Sequence, residues 1–414
     1  MLKSKAPDGP KKTLNTGGKL IMTYDFETLV SRKNMGSSKW MRMLEANPNV
    51  ADDVVPLTMA DMELKNPPEL IEGLKAYLDE AILGYSRPTA GYLDAVQSWM
   101  KRRHGWEIKK EWIAPSPGVV PAVYQAILAY TEPGEGIITM TPAYHCFFDA
   151  IRMNGRKLAA SPLKLEGTRY EMDYEGLERL AADPNNKVML LCSPYNPCSR
   201  VWSREELLRL CDICLRHDLL IISDEIHHDL IMPGYRHIPT ASLSHEISLR
   251  TVTCTAPSKT FNLAGMQVSN IIIEDPALRK KFEDTLLSTG IDSLTILGYK
   301  SCELAYERCE EWLEQLLAHV HRNSELLIEY LSRELPQVKI IPLEGTYLQW
   351  LDCRALGLSY KELERTLRQE GQVFFDEGYI DGEDGQGFER VNLACPQRVL
   401  METLERFVGC FKKQ

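Results

Sequence analysis

Residues Arg250–Gly265 read RTVTCTAPSKTFNLAG: a strand-like run of mostly β-branched residues, then a lysine set among small residues. A lysine is ordinarily a solvated surface charge, so position alone does not promote Lys259. It becomes a functional candidate if other segments bring an anion pocket, an acid and an aromatic ring to the same place. Working outward, KVMLLCS (187–193), LLIISDE (219–225) and VSNIIIED (268–275) are also short apolar runs bounded by polar or turn residues, and helical patterns separate them. That alternation predicts an α/β fold, a mainly parallel sheet with helices on both faces, over about residues 61–290.

Ligands bind outside the carboxyl ends of the strands in open parallel sheets. The polar residues found there are Asn196 after MLLCSPY, Asp224 after LLIIS, Lys259, and the turn SPGVVPAV after EWIAP. In that turn Gly118 permits close backbone approach, and the amides of Val119 and Val120 open a helix without intrahelical partners, the arrangement that binds phosphate. Its plainer reading is a simple turn. There is no GxGxxG and no GxxxxGK[ST], which disfavours dinucleotides and nucleoside triphosphates. Asp224 at the edge of a core needs a cationic partner to stay ionised, unless it only caps the next helix.

After Gly290 the pattern changes to one long helical stretch (296–335), the strand-like GTYLQWLD (345–352) and another helix. These form a smaller α/β unit over 291–414, and 24–60 is expected to contribute to it. The cluster DEGYIDGEDGQGF (376–388) is a turn-rich loop. Residues 1–23 lack periodicity and are expected to form a flexible extension.

The whole chain of 414 residues, 44% hydrophobic and 26% charged, has the balance of a globular protein with about two or three units. A net charge of −10 without a basic cluster argues against nucleic acid and toward small molecules. No apolar run reaches the ~20 residues that cross a bilayer, and the N-terminal segment lacks the apolar stretch of a signal peptide, so a cytoplasmic location is expected. Eleven cysteines, an odd number, fit free thiols. Cys211 and Cys214 fall in a helical pattern with no second pair to complete a zinc site, and no metal site is expected.

SPYNP (193–197), SDEIHHDL (223–230), APSKTFNLAG (256–265) and ERVNLACP (389–396), in this order and at these separations, resemble the fold-type I pyridoxal 5′-phosphate (PLP) enzymes. More narrowly they resemble the MalY/PatB group of cysteine-sulfur β-lyases in the class I/II aminotransferase superfamily. The similarity runs from Tyr24 to about Pro396. It implies that Lys259 carries the cofactor and serves as the base at the substrate Cα. Asp224 would keep the pyridine nitrogen protonated, and Asn196 and His227 would attend the ring's phenolate edge. Tyr144 would stack on one face of the ring, with Ile226 on the other. Ser258, Gly118, Val119 and Val120 would hold the phosphate, joined by Tyr85 from a second subunit of a homodimer with shared sites. Arg390 would pair with the substrate α-carboxylate, to which Asn196 would also contribute. Without the resemblance, His227 and His228 read as solvated or capping residues, Tyr144 as core, and Arg390 as a surface arginine at a strand end.

The implied activity is β-elimination of an L-cysteine S-conjugate such as cystathionine. A true aminotransferase and a PLP-binding regulator without turnover are the alternatives. Two departures bear on it. Gln267 stands where many aminotransferases place a phosphate-binding arginine, and Ala256 where some have Ser or Thr, so phosphate affinity rests more on backbone amides. In PLTMADMEL (56–64), Thr58 and Leu64 replace bulkier residues of the related pattern, which leaves substrate preference open.

Overall fold

The computed structural model describes residues 11–14 and 20–412. It opens with a hairpin, β1 (Lys11–Leu14) against β2 (Leu20–Thr23). The flexible extension expected over 1–23 therefore contains paired strands, and the rest of that stretch lies outside the described residues. Seven strands build the main sheet: β3 (Ile113–Ser116), β4 (Gly136–Thr141) and β5 (Lys157–Pro162), followed, past a small hairpin of β6 (Lys164–Glu166) with β7 (Arg169–Glu171), by β8 (Asn186–Cys192), β9 (Leu220–Asp224), β10 (Thr251–Thr255) and β11 (Ser269–Ile272).

Their spatial order is β3-β11-β10-β9-β8-β4-β5. β5, β4, β8, β9 and β10 pair in parallel, and β11 alone runs against its neighbours β10 and β3. Helices cover both faces, so β4, β9 and β10 are buried along their whole length, which is why they read as continuous apolar runs rather than alternating ones. Truncating a side chain such as Ile222, fully enclosed here, costs about 2–5 kcal/mol.

The crossover from β4 goes outward to β5, whereas those from β8 and β9 go the other way. The chain direction thus switches between β4 and β8, and a crevice opens outside their carboxyl ends. In register, Cys192, Asp224 and Cys254 lie abreast at that edge.

A second, antiparallel sheet has the order β12-β13-β15-β14, from β12 (Lys339–Ile340), β13 (Leu348–Asp352), β14 (Asp376–Glu377) and β15 (Phe388–Asn392). Before it, the long helical stretch is two helices, Ile296–Arg308 and Glu310–Glu334, which meet at Cys309. The expected turn-rich loop is two short helical turns, Gly378–Asp381 and Glu383–Gly385. The buried apolar side chains fall into two groups. One surrounds the main sheet, and the other joins Tyr24–Ile113 to the C-terminal helices and small sheet. Leu70, Tyr92 and Trp99, expected with the large unit that begins at 61, pack in the second group.

Candidate active site

The loops that leave β3, β4, β8, β9 and β10 deliver Gly118, Tyr144, Asn196, Asp224 and Lys259 to one edge of the sheet. Lys259 sits in the short helical turn Pro257–Thr260, and its Nζ donates to the carbonyl of Ala60 at 2.7 Å. Burial disfavours its charge, which the nearby Asp61 and Asp224 support and Arg390 opposes, and the outcome is a pKa lowered to about 8.

Asp224 is 4% exposed and ends β9. No helix follows for it to cap; Oδ1 instead accepts from the amide of Ile226 at 3.1 Å across a turn. Burial raises its carboxyl to about 7, against the pull of that amide and of Lys259. A carboxyl so placed ionises fully once a cation faces it.

Arg390, read from local sequence as a surface residue, is buried. Its Nη1 donates to Asn196 Oδ1 at 2.7 Å and its Nη2 to Asp376 Oδ2 at 2.6 Å, the residue directly across the ladder from it. Asp381 Oδ2 lies 3.5 Å from Nη1. Burial opposes the guanidinium charge, and the two aspartates more than restore it. Nε is buried without a partner, a donor still aimed and unspent.

His227 and His228 are buried, not solvated. For His227, burial, with Lys259 and Arg390 adding to it, drives the imidazole well below its ordinary pKa, so the ring is neutral. Among the described residues its Nδ1 has no hydrogen-bond partner, and neither does the buried hydroxyl of Tyr347, whose ring lies edge-on 6.3 Å away. Tyr144 is half-buried at the start of the helix His145–Met153, and both Arg390 and Asp224 act on its hydroxyl electrostatically. Ile226 and Ser258 are half-buried. Gly118 precedes the helix Val119–Tyr130 with φ +135°, a conformation that disfavours any side chain, and the first turn exposes the amides of Val119 and Val120. Tyr85 stands apart, fully exposed beside Ile82 and Leu83, which are also exposed.

Sequence reasoning missed the acids that hold these groups. Arg32 grips Asp61 through both guanidinium ends, and Lys39, itself buried, bridges Asp61 and Glu63. Trp40 Nε1 donates to Glu63 at 3.1 Å. This network, with Asn392 donating to the carbonyls of Met59 and Asp61, fixes the loop that presents Ala60 to Lys259. In that loop Met59 adopts φ +53°, and its amide donates to Asp376 Oδ2, so one aspartate braces both the arginine and the loop beside the lysine. The sequence signal for Asp61 is PLTMADMEL itself, in which the aspartate stands three residues after Thr58 and three before Leu64.

A phosphorylated pyridine aldehyde fits this set chemically. Lys259 with its lowered pKa offers an amine, Asp224 a carboxyl short of a cation, His227 and Tyr347 unpartnered polar atoms, and the turn at Gly118 free amides. Such buried polar atoms left unmatched are what a bound group satisfies.

Comparison with known proteins places the fold and these motifs together. Residues 52–407 match the family model of the class I and II aminotransferases, and the chain belongs to that family. It is similar to the cystathionine β-lyase PatB of Bacillus subtilis, 41% identical over 354 residues, 86% of this chain and 92% of PatB. Among solved structures it resembles cystalysin from Treponema denticola, which contains a pyridoxal 5′-phosphate cofactor: 48% identity, a TM-score of 0.94, and coverage of 95% of this chain and all of that one. The PLP-bound C–S lyase from Staphylococcus hominis aligns with 27% identity and a TM-score of 0.87 over 94% of this chain and 98% of its own.

Proposed function

We propose that the protein is a PLP-dependent carbon–sulfur lyase that cleaves L-cysteine S-conjugates such as L-cystathionine, taking up water and releasing a thiol, ammonia and pyruvate. The observation that carries the reading is the convergence, at the carboxyl edge of the sheet, of Lys259 held on the Ala60 carbonyl and a buried Asp224 that bonds only a backbone amide. The likeness to PatB and to the C–S lyase structure favours elimination over transamination.

Bound PLP supplies an electron sink that acidifies the substrate Cα proton and lets a group on Cβ depart. Lys259 holds the cofactor in the resting enzyme and, when freed by substrate, takes the Cα proton with Nζ. Asp224, ionised opposite a cation, would hold the pyridine nitrogen in its protonated form. Asn196 and His227 would hold the cofactor's phenolate edge, and Tyr144 and Ile226 would line the two faces of its ring. The amides of Val119 and Val120 at Gly118, with the Ser258 hydroxyl, receive the phosphate. Arg390, already anchored by Asp376 and Asn196, receives the α-carboxylate and so aligns Cα with the lysine.

The active unit in this reading is a homodimer in which Tyr85 reaches the partner's phosphate, and the exposure of Tyr85, Ile82 and Leu83 supports it. The reaction is tested by supplying L-cystathionine with no keto-acid acceptor and following pyruvate, ammonia and thiol. Many turnovers per site are expected. A single half-turnover that leaves the cofactor as an amine would identify an aminotransferase instead.

A further inference from the structure

Behind the proposed site lies a cluster the reaction does not use; it includes His228, the residue after His227, and is touched by Thr260, the residue after Lys259. His104, His228 and Asp229 are all buried, and their ligating atoms lie within 4.8 Å of one another. They line a pocket of about 530 Å³ together with Arg103, Tyr235 and His237. His104 Nε2 is 2.8 Å from Asp229 Oδ1, and His228 Nε2 is 3.4 Å from Oδ2 of the same carboxylate.

The His228 contact is the informative one. Its Nδ1 lies 2.7 Å from the carbonyl oxygen of Glu225, which can only accept, so Nδ1 carries the ring proton. In that tautomer Nε2 of the imidazole presents its lone pair. Among the described residues that nitrogen is buried without a hydrogen-bond partner, and it faces a carboxylate oxygen. Two acceptors opposed in a buried place repel unless a cation sits between them.

We propose that His104, His228 and Asp229 bind one divalent transition-metal ion, with Zn²⁺ the best match to two imidazole nitrogens and a carboxylate, and with the fourth position open to the pocket. Two nitrogen or oxygen ligands on one tetrahedral zinc lie about 3.4 Å apart, and the cluster, whose ligating atoms lie within 4.8 Å of one another, reaches that spacing by side-chain rotation into the pocket. The outer contacts suit a metal site as well. The Glu225 carbonyl fixes the His228 tautomer, while Trp99 Nε1 and Thr260 Oγ1 donate to Asp229 at 3.0 and 2.8 Å and orient it. Arg103 at the rim does not fill the place of the ion, because Glu310 and Glu314 engage it. Nitrogen and oxygen donors distinguish this site from any made by the cysteines, and the proposal departs from the expectation of no metal site that was argued from Cys211 and Cys214.

The test uses the PLP-loaded protein, stripped with a chelator and then dialysed against a small excess of ZnCl₂ or CoCl₂. One ion per chain should remain by elemental analysis, and thermal unfolding should move up by several degrees. Cobalt should give visible d–d bands without the near-ultraviolet charge-transfer band of a thiolate ligand. His228→Gln and His104→Gln should each lose the ion while keeping the cofactor absorption. Because either variant could fail to fold, X-ray absorption at the zinc edge of the unsubstituted protein gives an independent reading: two imidazoles and no sulfur are expected. Failure to retain an ion, sulfur in the coordination shell, or full retention in both folded variants would overturn the proposal.

Discussion

Around Asp61 the buried charges are closed on themselves, and around Asp224 they are left open. Asp61 is gripped by Arg32 and touched by Lys39; burial works against its charge, but those cations win and its carboxyl lies below the ordinary range. Asp224 meets only a backbone amide, and burial wins, raising it to about 7. The first arrangement is a finished structural network whose business is to hold a loop. The second is short of one cation, and such an imbalance marks a place prepared for a ligand. Lys259 lies between them, its carbonyl acceptor supplied by the closed side and its lowered pKa set by burial.

The most severe way to break this contrast is Lys259→Ala. Turnover of L-cystathionine should fall about a thousandfold or more, because both cofactor attachment and the Cα base go with it. Next, Asp224→Asn should lower kcat by about a hundredfold or more, with KM changing less, since it removes the pyridinium's counter-charge and not a substrate contact.

The same variant sharpens the comparison through pH. The folded-state pKa of Asp224 is raised, so in the cofactor-free protein its contribution to stability is full below about pH 4 and is lost as pH rises toward 7. Denaturant titrations should show the unsubstituted apoprotein losing a few kcal/mol relative to Asp224→Asn across that window, and added PLP should erase the difference. Were Asp224 a mere structural cap, kcat would hold and stability would drop at every pH.

Arg390→Lys is expected to lower kcat/KM about tenfold to a hundredfold, because an ammonium cannot keep Asp376 and Asn196 and also present a fork to a carboxylate. Mixing Lys259→Ala with Tyr85→Phe under subunit exchange should restore activity at up to about a quarter of the sites, one in each heterodimer. No recovery would place Tyr85 in its own chain's site or outside the reaction. The smallest effect is expected on the closed side. Asp61 helps keep Lys259 protonated, so Asp61→Asn should move its pKa below about 8. The pH dependence of cofactor attachment to apoprotein would read this, since only the neutral amine reacts.

What could be read in the chain depended on whether a residue's surroundings were local. Asn196, Asp224 and Lys259 each follow a buried strand directly, and strand direction alone puts them on one edge. Arg390 gave no such signal, because its partners Asp376 and Asn196 come from a neighbouring strand and from the other sheet, and only the resemblance singled it out. Asp61 escaped notice for the same reason: Arg32 precedes it by a loop and a helix, and Lys259 is far along the chain. His228 was misjudged because burial depends on packing against His104 and His237, whose rings lie 4.6 and 6.1 Å from it. The antiparallel course of β11 was equally invisible, since a strand buried on both faces reads the same in either direction.

The central claim is that the open charge pair at the sheet edge receives pyridoxal 5′-phosphate on Lys259, and one chemical experiment addresses it directly. Purified protein loaded with PLP is reduced with borohydride, digested, and the cofactor-bearing peptide is identified by mass spectrometry. A single modified peptide containing Lys259 is expected, and none from the Lys259→Ala variant. A reduced adduct on any other lysine, or no adduct from a protein that binds PLP, would contradict it.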